Sequence, residues 1–391
     1  EYDGTAKKAP VSSSVHSGKF ALKYNGADTI PTNVGTYALT AVVTAHGDYA
    51  ATTVELGTWE IKPLGVTLTW NNIADRTYDG SNSNVTATVS NKKGSDDVNV
   101  TVTGGTAANV GNHTATADAL TGAAARNYKL PSTKPTQAYT INAATITVDT
   151  DAFKNYTGVY DGNPHSITVN EGKIKTKGGQ TFTIGYNTDG GSTYGATLPE
   201  ITNVNESPKT VYYKITAPNH EDKTGTATIT IGKATQTING DNFSVKVGKT
   251  VNLDEKFNAQ GTLTYSIASG TGGTVAGNNL TVGAATGSFT LKVDAAATGN
   301  YNAATKNVTV TVTAKEVQTI TAGDVSATYG DTNAKVTGST NGDGAITYAV
   351  TGSAGVVEVD SSTGALTIKK AGTTAVTITA AETGEYAAAT K

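Results

Sequence analysis

Short runs in which apolar and polar residues alternate recur along the whole chain. Clear examples are Val211-Tyr-Tyr-Lys-Ile215, Phe289-Thr-Leu-Lys-Val293 and Val308-Thr-Val-Thr-Val312. Alternation with a period of two predicts a β-strand with one buried face and one exposed face. Thr and Val dominate these runs, and β-branched side chains favour strands. The pattern therefore predicts an all-β protein.

Two sequence landmarks recur at intervals of roughly 80 residues, which approaches the size of one β-sandwich domain. The first is a residue, usually aromatic, before a tight turn: Tyr2-Asp3-Gly4, Tyr78-Asp79-Gly80 and Tyr160-Asp161-Gly162, with weaker echoes at Val247-Gly248 and Tyr329-Gly330. The second is an alternating strand, a small polar turn and then an aromatic residue: Tyr49, Tyr128, His220, Tyr301 and Tyr386. Together they predict five copies of one module.

The predicted modules are Ig-like β-sandwiches joined by junctions of a few residues. Their ranges are 1–63, 64–143, 144–233, 234–315 and 316–391. The first lacks the opening strand that residues 66–70 give the second, and the fifth lacks a closing strand, so we expect the parent chain to continue at both ends. The alternative is that a partner chain supplies these strands. Short junctions limit bending and predict an elongated, semi-rigid rod on the order of 150 to 200 Å long.

The turn motifs also carry a resemblance to known families. The Tyr-Asp-Gly turns and the strand entries Asn33-Val34-Gly35 and Asn109-Val110-Gly111 resemble the mostly-β, glycine-rich (MBG and YDG-type) repeats of bacterial surface proteins, over residues 1–233. The last two copies, with Gln236-Thr-Ile238 and Leu263-Thr-Tyr265-Ser266, are similar to bacterial Ig-like (Big-type) domains. The resemblance implies an extracellular adhesive or spacer role, secreted or on the bacterial surface, and brings no catalytic residues with it.

Composition narrows the chemistry. The chain has no Cys, so disulfides, thiolate zinc sites and thiol catalysis are excluded. A net charge of -3 without a basic stripe argues against nucleic acid as a partner. No apolar run approaches the roughly 18 residues of a membrane helix, so we expect no membrane insertion in this segment. The five His residues lack the paired spacing of a metal site, and no nucleophile elbow is present, so we expect no metal, no cofactor and no enzyme.

Several residues have side chains that could bind a ligand or act in catalysis, and most are better explained by structural roles. The Asp residues of the Tyr-Asp-Gly turns are predicted to serve turn geometry, and Trp59 and Trp70 are predicted to lie in cores because they share strand faces with apolar residues. The segment 247–250 mimics the end of a phosphate-binding loop but lacks its first Gly, and is predicted to be a hairpin turn. The acidic pairs Asp96-Asp97 and Asp149/Asp151 could help to hold Ca²⁺ between modules, although solvated turn acids are favoured.

Two tyrosines remain as candidates for ligand binding. Tyr186 and Tyr194 flank a Gly- and Thr-rich stretch in the third copy, where they are expected to be exposed and able to contact a sugar. The leading hypothesis is a non-catalytic stalk or spacer of a secreted bacterial cell-surface protein of the adhesin type. The alternative is an array that binds a glycan or a host or other cell-surface protein, including as an accessory region of a larger polysaccharide-acting enzyme.

Overall fold

The computed structural model describes residues 1–13 and 20–391, which form β-strands, turns and short 3-10 helices. The described ranges contain no α-helix, and none of their helices is long and apolar enough to cross a membrane. The predicted all-β fold class is therefore confirmed.

The strands of residues 1–143 are mostly short, and two of the three longest, Gly35–Val43 and Gly111–Thr121, carry the alternating burial that the sequence pattern predicts. The third, Thr52–Ile61, is exposed over its first seven residues. Their bounds are β1 Phe20–Tyr24, β2 Gly35–Val43, β3 Thr52–Ile61, β4 Leu64–Gly65, β5 Leu68–Asn71, β6 Arg76–Thr77, β7 Thr86–Val89, β8 Asn99–Thr103, β9 Gly111–Thr121, β10 Tyr128–Lys129 and β11 Thr136–Asn142.

Residues 144–232 add ten strands, several of them only two residues long. Their bounds are β12 Ala144–Thr145, β13 Thr147–Val148, β14 Phe153–Lys154, β15 Tyr156–Val159, β16 Thr168–Val169, β17 Ile174–Lys175, β18 Thr183–Asn187, β19 Lys209–Thr216, β20 His220–Glu221 and β21 Lys223–Gly232.

The remaining sixteen strands lie within residues 243–390. Their bounds are β22 Phe243–Lys246, β23 Thr250–Asn252, β24 Leu263–Ser269, β25 Gly273–Ala276, β26 Asn279–Val282, β27 Gly287–Ala295, β28 Ala304–Thr313, β29 Glu316–Val317, β30 Ile320–Ala322, β31 Gly338–Thr340, β32 Ile346–Val350, β33 Val357–Val359, β34 Leu366–Ile368, β35 Val376–Ala380, β36 Tyr386–Ala387 and β37 Ala389–Thr390.

The chain divides into two compact units. One comprises residues 1–155, 166–199 and 210–228, and the other comprises residues 156–165, 200–209 and 229–391. In the first unit the largest sheet has the order β6-β11-β9-β8, and β1-β2-β3 form a three-stranded sheet. In the second unit the order β22-β28-β27-β24 recurs, facing a smaller sheet β23-β26-β25.

One strand pairing recurs in both units. The strand before the turn motif lies parallel to the strand that closes the same copy: β6 to β11, β15 to β21 and β22 to β28. All other long pairings are antiparallel, as in β27 with β28, where Phe289 lies opposite Val310. This arrangement brings the turn motif to the end of the closing strand.

The cores are small and each is local to a part of the chain. In the second unit, the core between the two sheets contains the fully buried Leu253, Leu280 and Leu291. A buried aliphatic side chain of this kind stabilises by about 1.5 to 3 kcal/mol relative to an exposed one. In the first unit Ile141 and Ala115 anchor one core, and Ile215 and Ile174 anchor another.

Both tryptophans pack against cores, as predicted. Trp59 is half-buried against Tyr24 and Tyr37, with ring centroids 5.9 and 6.5 Å away. Trp70 packs against the core around Ile141.

The predicted hairpin at residues 247–250 is wrong. The turn there joins β22 to β23, but β22 pairs with β28 and β23 pairs with β26, so the chain passes from one sheet to the other. The Gly248 φ of 75° makes the tight reversal possible, and a sequence pattern alone does not reveal which strands the two arms will pair with.

Candidate functional site

The turn motifs contact the closing strands through one backbone hydrogen bond that recurs along the chain. In each case the N–H of the residue that opens the turn donates to a carbonyl at the end of the closing strand or just past it. The pairs are Tyr2 to Lys62 (2.8 Å), Tyr78 to Asn142 (2.9 Å), Tyr160 to Gly232 (2.9 Å) and Val247 to Thr313 (3.0 Å). Each turn is thereby fixed at one end of its own sheet.

The Asp residues of the three Tyr-Asp-Gly turns serve the turn, as predicted. Each carboxylate accepts the backbone N–H two residues ahead, and the following Gly has a φ between 83° and 89°. Each Asp also pairs with a cationic or ionisable neighbour, which for Asp161 is His165 at 2.9 Å. The pKa of Asp161 is lowered to about 2, mainly by the hydrogen bond from the Asn163 N–H and secondly by the hydrogen bond from the His165 side chain. The carboxylates are thus satisfied inside the turn and are poor candidates for a catalytic acid.

Each of these turns contacts an Asn-Tyr or Asn-His pair that lies further along the chain. We call the contacts of the Tyr2 turn with Asn127-Tyr128 the first joint, those of the Tyr78 turn with Asn219-His220 the second joint, and those of the Tyr160 turn with Asn300-Tyr301 the third joint. In all three, the two aromatic rings meet edge to face. The centroid distances are 5.5 Å for Tyr2 and Tyr128, 5.7 Å for Tyr78 and His220, and 5.4 Å for Tyr160 and Tyr301.

The Asn of each pair forms the same two hydrogen bonds at every joint. Its Oδ1 accepts the N–H of a Val: Val34 to Asn127 (2.9 Å), Val110 to Asn219 (3.0 Å) and Val204 to Asn300 (3.0 Å). Its Nδ2 donates to the Oδ1 of the Asn just before that Val: Asn127 to Asn33 (3.0 Å), Asn219 to Asn109 (3.2 Å) and Asn300 to Asn203 (2.9 Å).

A side-chain amide offers both an acceptor and a donor, which is why Asn suits this position. Two neutral hydrogen bonds and one aromatic contact together stabilise a joint by about 1.5 to 4.5 kcal/mol. In the first joint Tyr37 Oη donates to the Asn33 carbonyl (2.7 Å), and in the second His113 Nε2 lies 2.8 Å from the Asn109 carbonyl. In both joints, therefore, the backbone carbonyl of the Asn that accepts the amide hydrogen bond is itself contacted by an aromatic residue four positions later in the sequence.

The first joint contains a carboxylate that two tyrosines share. The hydroxyls of Tyr2 (2.8 Å) and Tyr128 (2.6 Å) both donate to Oδ2 of Asp96, and the Lys93 N–H donates to the Tyr128 hydroxyl (2.8 Å). Burial and the bond to Asp96 raise the pKa of Tyr128 to about 12. Asp96 therefore has a structural role here, and its neighbour Asp97 accepts the Ala123 N–H at 3.2 Å.

The second joint shares one of these contacts, a backbone N–H donated to the second ring, but in place of a shared carboxylate Gln180 Nε2 donates to the Tyr78 hydroxyl (2.8 Å). The Lys177 N–H donates to Nε2 of His220 (2.8 Å), while Nδ1 of the same ring faces the Pro218 carbonyl (2.7 Å), so the geometry places the ring proton on Nδ1. The backbones of Gly80 and Gly178 touch, since a Cβ on Gly80 would lie 2.5 Å from the Cα of Gly178. Glycine is required at that contact because any side chain would separate the two loops.

The position that corresponds to a fourth joint is built differently. The backbone bond from Val247 is kept, but Val247-Gly248-Lys249 replaces Tyr-Asp-Gly and Glu385 precedes Tyr386 where Asn stands elsewhere. Lys249 forms an ion pair with Glu385, which lowers the pKa of the Glu385 carboxyl. Among the described residues, neither the aromatic pair nor the Asn pair of the other joints occurs here.

The two predicted ligand-binding tyrosines have different environments. Tyr186 is 9% exposed and lies opposite Tyr213 in the β18–β19 pair, on the face that packs on Phe153, so the expectation that its ring is exposed is wrong. Burial raises the pKa of Tyr186. Tyr194 is half-buried and covers Gly185, whose Cβ would lie 2.7 Å from that of Tyr194. Ligand binding by either residue stays a prediction.

A tyrosine that the sequence reasoning missed lies on the same face as Tyr194. Directly opposite residues of an antiparallel pair point to the same side, and Gly185 lies opposite Lys214 while Asn187 lies opposite Tyr212. The half-buried Tyr212 ring rests against Gly190, whose Cβ would lie 3.3 Å from the ring. Tyr194 and Tyr212 therefore share the outer face of β18 and β19, and the alternation Val211-Tyr212-Tyr213 was the signal available for this.

The described residues hold no group of three or more His, Cys, Asp or Glu side chains that could bind a metal ion. A cavity of about 380 Å³ lies beside Asp254, Tyr265 and Asn278. There Asp254 accepts hydrogen bonds from the Tyr265 hydroxyl (2.7 Å) and the Asn278 amide (3.0 Å), which leaves the carboxylate engaged in protein contacts.

One part of the chain is similar to a known domain family. Residues 1–63 match a family model described as MBG domain, so this part of the chain is similar to the MBG domain family. No curated protein matches the chain.

Solved structures of extracellular β-domains match at low similarity. They include the protocadherin gammaB7 EC3-6 cis-dimer (9% identity, 83% of this chain and 98% of that chain, TM-score 0.25) and Sidekick-1 immunoglobulin domains 1-4 (12%, 75% and 90%, 0.24). Mouse cadherin-23 EC22-24 also matches (12%, 61% and 94%, 0.24). Similarity of this degree supports no argument about function.

Proposed function

We propose that the chain is a non-catalytic spacer of a secreted bacterial cell-surface protein of the adhesin type, built from five sandwich modules with the boundaries predicted from the sequence. The observation that carries the proposal is the recurrence of one joint three times, with matching ring distances and matching Asn hydrogen bonds. A spacer needs neighbouring modules in a fixed orientation, and repeated short-range contacts between successive copies supply this. The MBG match of residues 1–63 agrees with a surface-protein context.

The proposal is tested by small-angle X-ray scattering on the whole chain. A compact protein of this length would have a radius of gyration of about 21 Å, whereas a rod of the predicted length would exceed roughly 40 Å. Excising residues 64–143, one predicted module, should shorten the maximum dimension by about one module length. A radius near 21 Å, or a maximum dimension that the excision leaves unchanged, would reject the spacer.

A second function, glycan binding by the third copy, is favoured by the outer face that carries Tyr194 and Tyr212. Aromatic faces beside polar groups suit stacking with sugar rings, and Lys214 lies on that face next to Tyr212 on β19, opposite Gly185. The test is a glycan array probed with the intact chain, with Tyr194→Ala and Tyr212→Ala, and with Tyr329→Ala as a matched control, since Tyr329 is 75% exposed elsewhere. A saturable signal lost in the first two variants and kept in the control supports binding, and no signal rejects it.

A further inference from the structure

The fourth joint is held by ion pairs between two charged side chains. The other three are held by aromatic rings and amides and, in the first joint, by the Asp96 carboxylate, whose partners there are two neutral tyrosine hydroxyls. Lys249, in the turn after β22, pairs with Glu385, and Lys246 at the end of β22 lies 3.4 Å from Glu316 at the start of β29. Both pairs connect the sandwich that contains β22–β28 to the strands that begin at β29. All four residues belong to the same compact unit.

The packing around Lys249 is specific to this pair. A Cβ on Gly384 would lie 2.9 Å from Cε of Lys249, so the Lys249 stem lies directly against the Gly384 backbone on its way to Glu385. Glycine at position 384 therefore lets the ammonium group reach the carboxylate. This is the only side chain of the Val247-Gly248-Lys249 turn for which the described residues show a polar contact with residues beyond 316.

Both ion pairs are partly open to solvent, although Lys246 itself is only 23% exposed. The Lys249 and Glu385 side chains are 42% and 47% exposed, and Glu316 is 62% exposed. A cleft of about 720 Å³ on the sandwich that contains β22–β28 adjoins the pairs, and Glu385 is the one residue beyond β28 in its lining among the described residues. Exposed pairs are screened as the Debye length falls from about 10 Å at 0.1 M salt to about 3 Å at 1 M, and the open cleft leaves room for the two sides to move.

The third joint, in the same unit, is chemically different. Its contacts are the edge-to-face pair of Tyr160 and Tyr301 and the two amide hydrogen bonds of Asn300, none of which involves a net charge. Salt should leave such contacts in place, because dispersion and neutral hydrogen bonds are not screened by dissolved ions.

We infer that the fourth joint is a hinge whose stiffness is set by ionic strength, through the Lys249–Glu385 and Lys246–Glu316 pairs. This inference rests on the proposed spacer function. The spacer would stay stiff at its aromatic joints and would become flexible at this one point as salt rises. The ionic strength of the surroundings would then determine whether the segment after β28 keeps one orientation or moves freely.

Single-molecule FRET can test the hinge, since the chain has no native Cys to compete with introduced labels. One labelled pair, Thr274→Cys with Thr367→Cys, spans the fourth joint, and a second, Thr53→Cys with Thr103→Cys, spans the first joint as a matched control; all four positions are exposed. From 50 mM to 1 M NaCl, the efficiency distribution across the fourth joint should broaden at least twofold. The distribution across the first joint should not change.

Charge variants separate the ion pairs from general salt effects. Lys249→Gln should broaden the fourth-joint distribution already at 50 mM NaCl, and the exchanged pair Lys249→Glu with Glu385→Lys should restore the narrow one. A fourth joint that stays narrow at every salt concentration, while the first joint is also narrow, would overturn the hinge and leave the spacer intact. Broad distributions across both joints at 50 mM NaCl would overturn the spacer itself.

Discussion

Removing the Asn of one joint should expose a single backbone amide. In Asn127→Ala the Val34 N–H loses its acceptor, which it contacts at 2.9 Å, and Asn33 loses the donor at 3.0 Å. Asn127 is only 3% exposed, so water does not easily replace it in the folded joint. An unsatisfied buried group costs about 1 to 3 kcal/mol, which corresponds to a roughly 5- to 150-fold change in an opening equilibrium.

Residue-resolved hydrogen exchange measures this directly, because the exchange rate of a protected amide follows its local opening equilibrium. The Val34 amide should exchange about 5- to 150-fold faster in Asn127→Ala, while the Val110 amide of the second joint keeps its rate. Asn219→Ala should show the converse. Asn127→Asp is the matched control, since a carboxylate still accepts the Val34 N–H and should preserve most of its protection.

The reasoning would be refuted if the Val34 rate in Asn127→Ala stayed within twofold of the wild-type rate. It would also be refuted if Asn127→Ala accelerated the amides of both joints equally, because that outcome would indicate global destabilisation. Equal acceleration in Asn127→Asp and Asn127→Ala would show that the side-chain acceptor is not what protects the amide.

Three further predictions follow from individual contacts. Gly80→Ala should lower the melting temperature in calorimetry more than Gly162→Ala: both have a φ near 85° to 89°, which costs about 1 kcal/mol, but only the first brings a Cβ to 2.5 Å from Gly178. Gln318→Leu should cost about 3 kcal/mol in denaturant unfolding, since the 2% exposed amide donates to two backbone carbonyls. The neutral Tyr128 hydroxyl, with its pKa raised to about 12, stabilises the fold fully below pH 10 and loses this contribution as the pH rises through 12, so Tyr128→Phe should flatten the alkaline loss of stability.

Local chemistry explains why the turns could be predicted. In Tyr-Asp-Gly the Asp accepts a backbone N–H two residues ahead and the Gly adopts a positive φ, and both properties depend only on neighbouring residues. The all-β class followed in the same way from strand alternation. Turn motifs and strand alternation each depend on a few consecutive residues and can therefore be recognised in the sequence.

The joints could not be predicted in this way, because their partners are far apart in the sequence. Asn127 meets Val34 across 93 positions and Asn219 meets Val110 across 109. The small polar turn before the aromatic residue recurs in the sequence, but which of its residues forms hydrogen bonds, and with what, depends on how successive copies meet. The sequence therefore predicts that successive copies have equivalent turns, but not which residues those turns contact.

Tyr186 shows that an exposure predicted from local composition can be wrong. The segment was interpreted from its Gly and Thr content as an exposed loop, yet Thr183–Asn187 is a strand whose pairing puts Tyr186 opposite Tyr213 on the buried face. Strand register decides which of two adjacent residues faces the core, and a shift of one position would have exposed it. Tyr212, which precedes Tyr213 on β19 and lies opposite Asn187, is on the outer face for the same reason.

Residual dipolar couplings in a weakly aligned sample test most directly whether a joint fixes two neighbouring sandwiches. Couplings from residues 35–61 and from residues 64–142 should fit one common alignment tensor in the wild-type protein, and should require two different tensors when Asn127→Ala is combined with Tyr128→Ala. Two different tensors in the wild-type protein would contradict the account, because they would show that the first joint does not hold the two parts together.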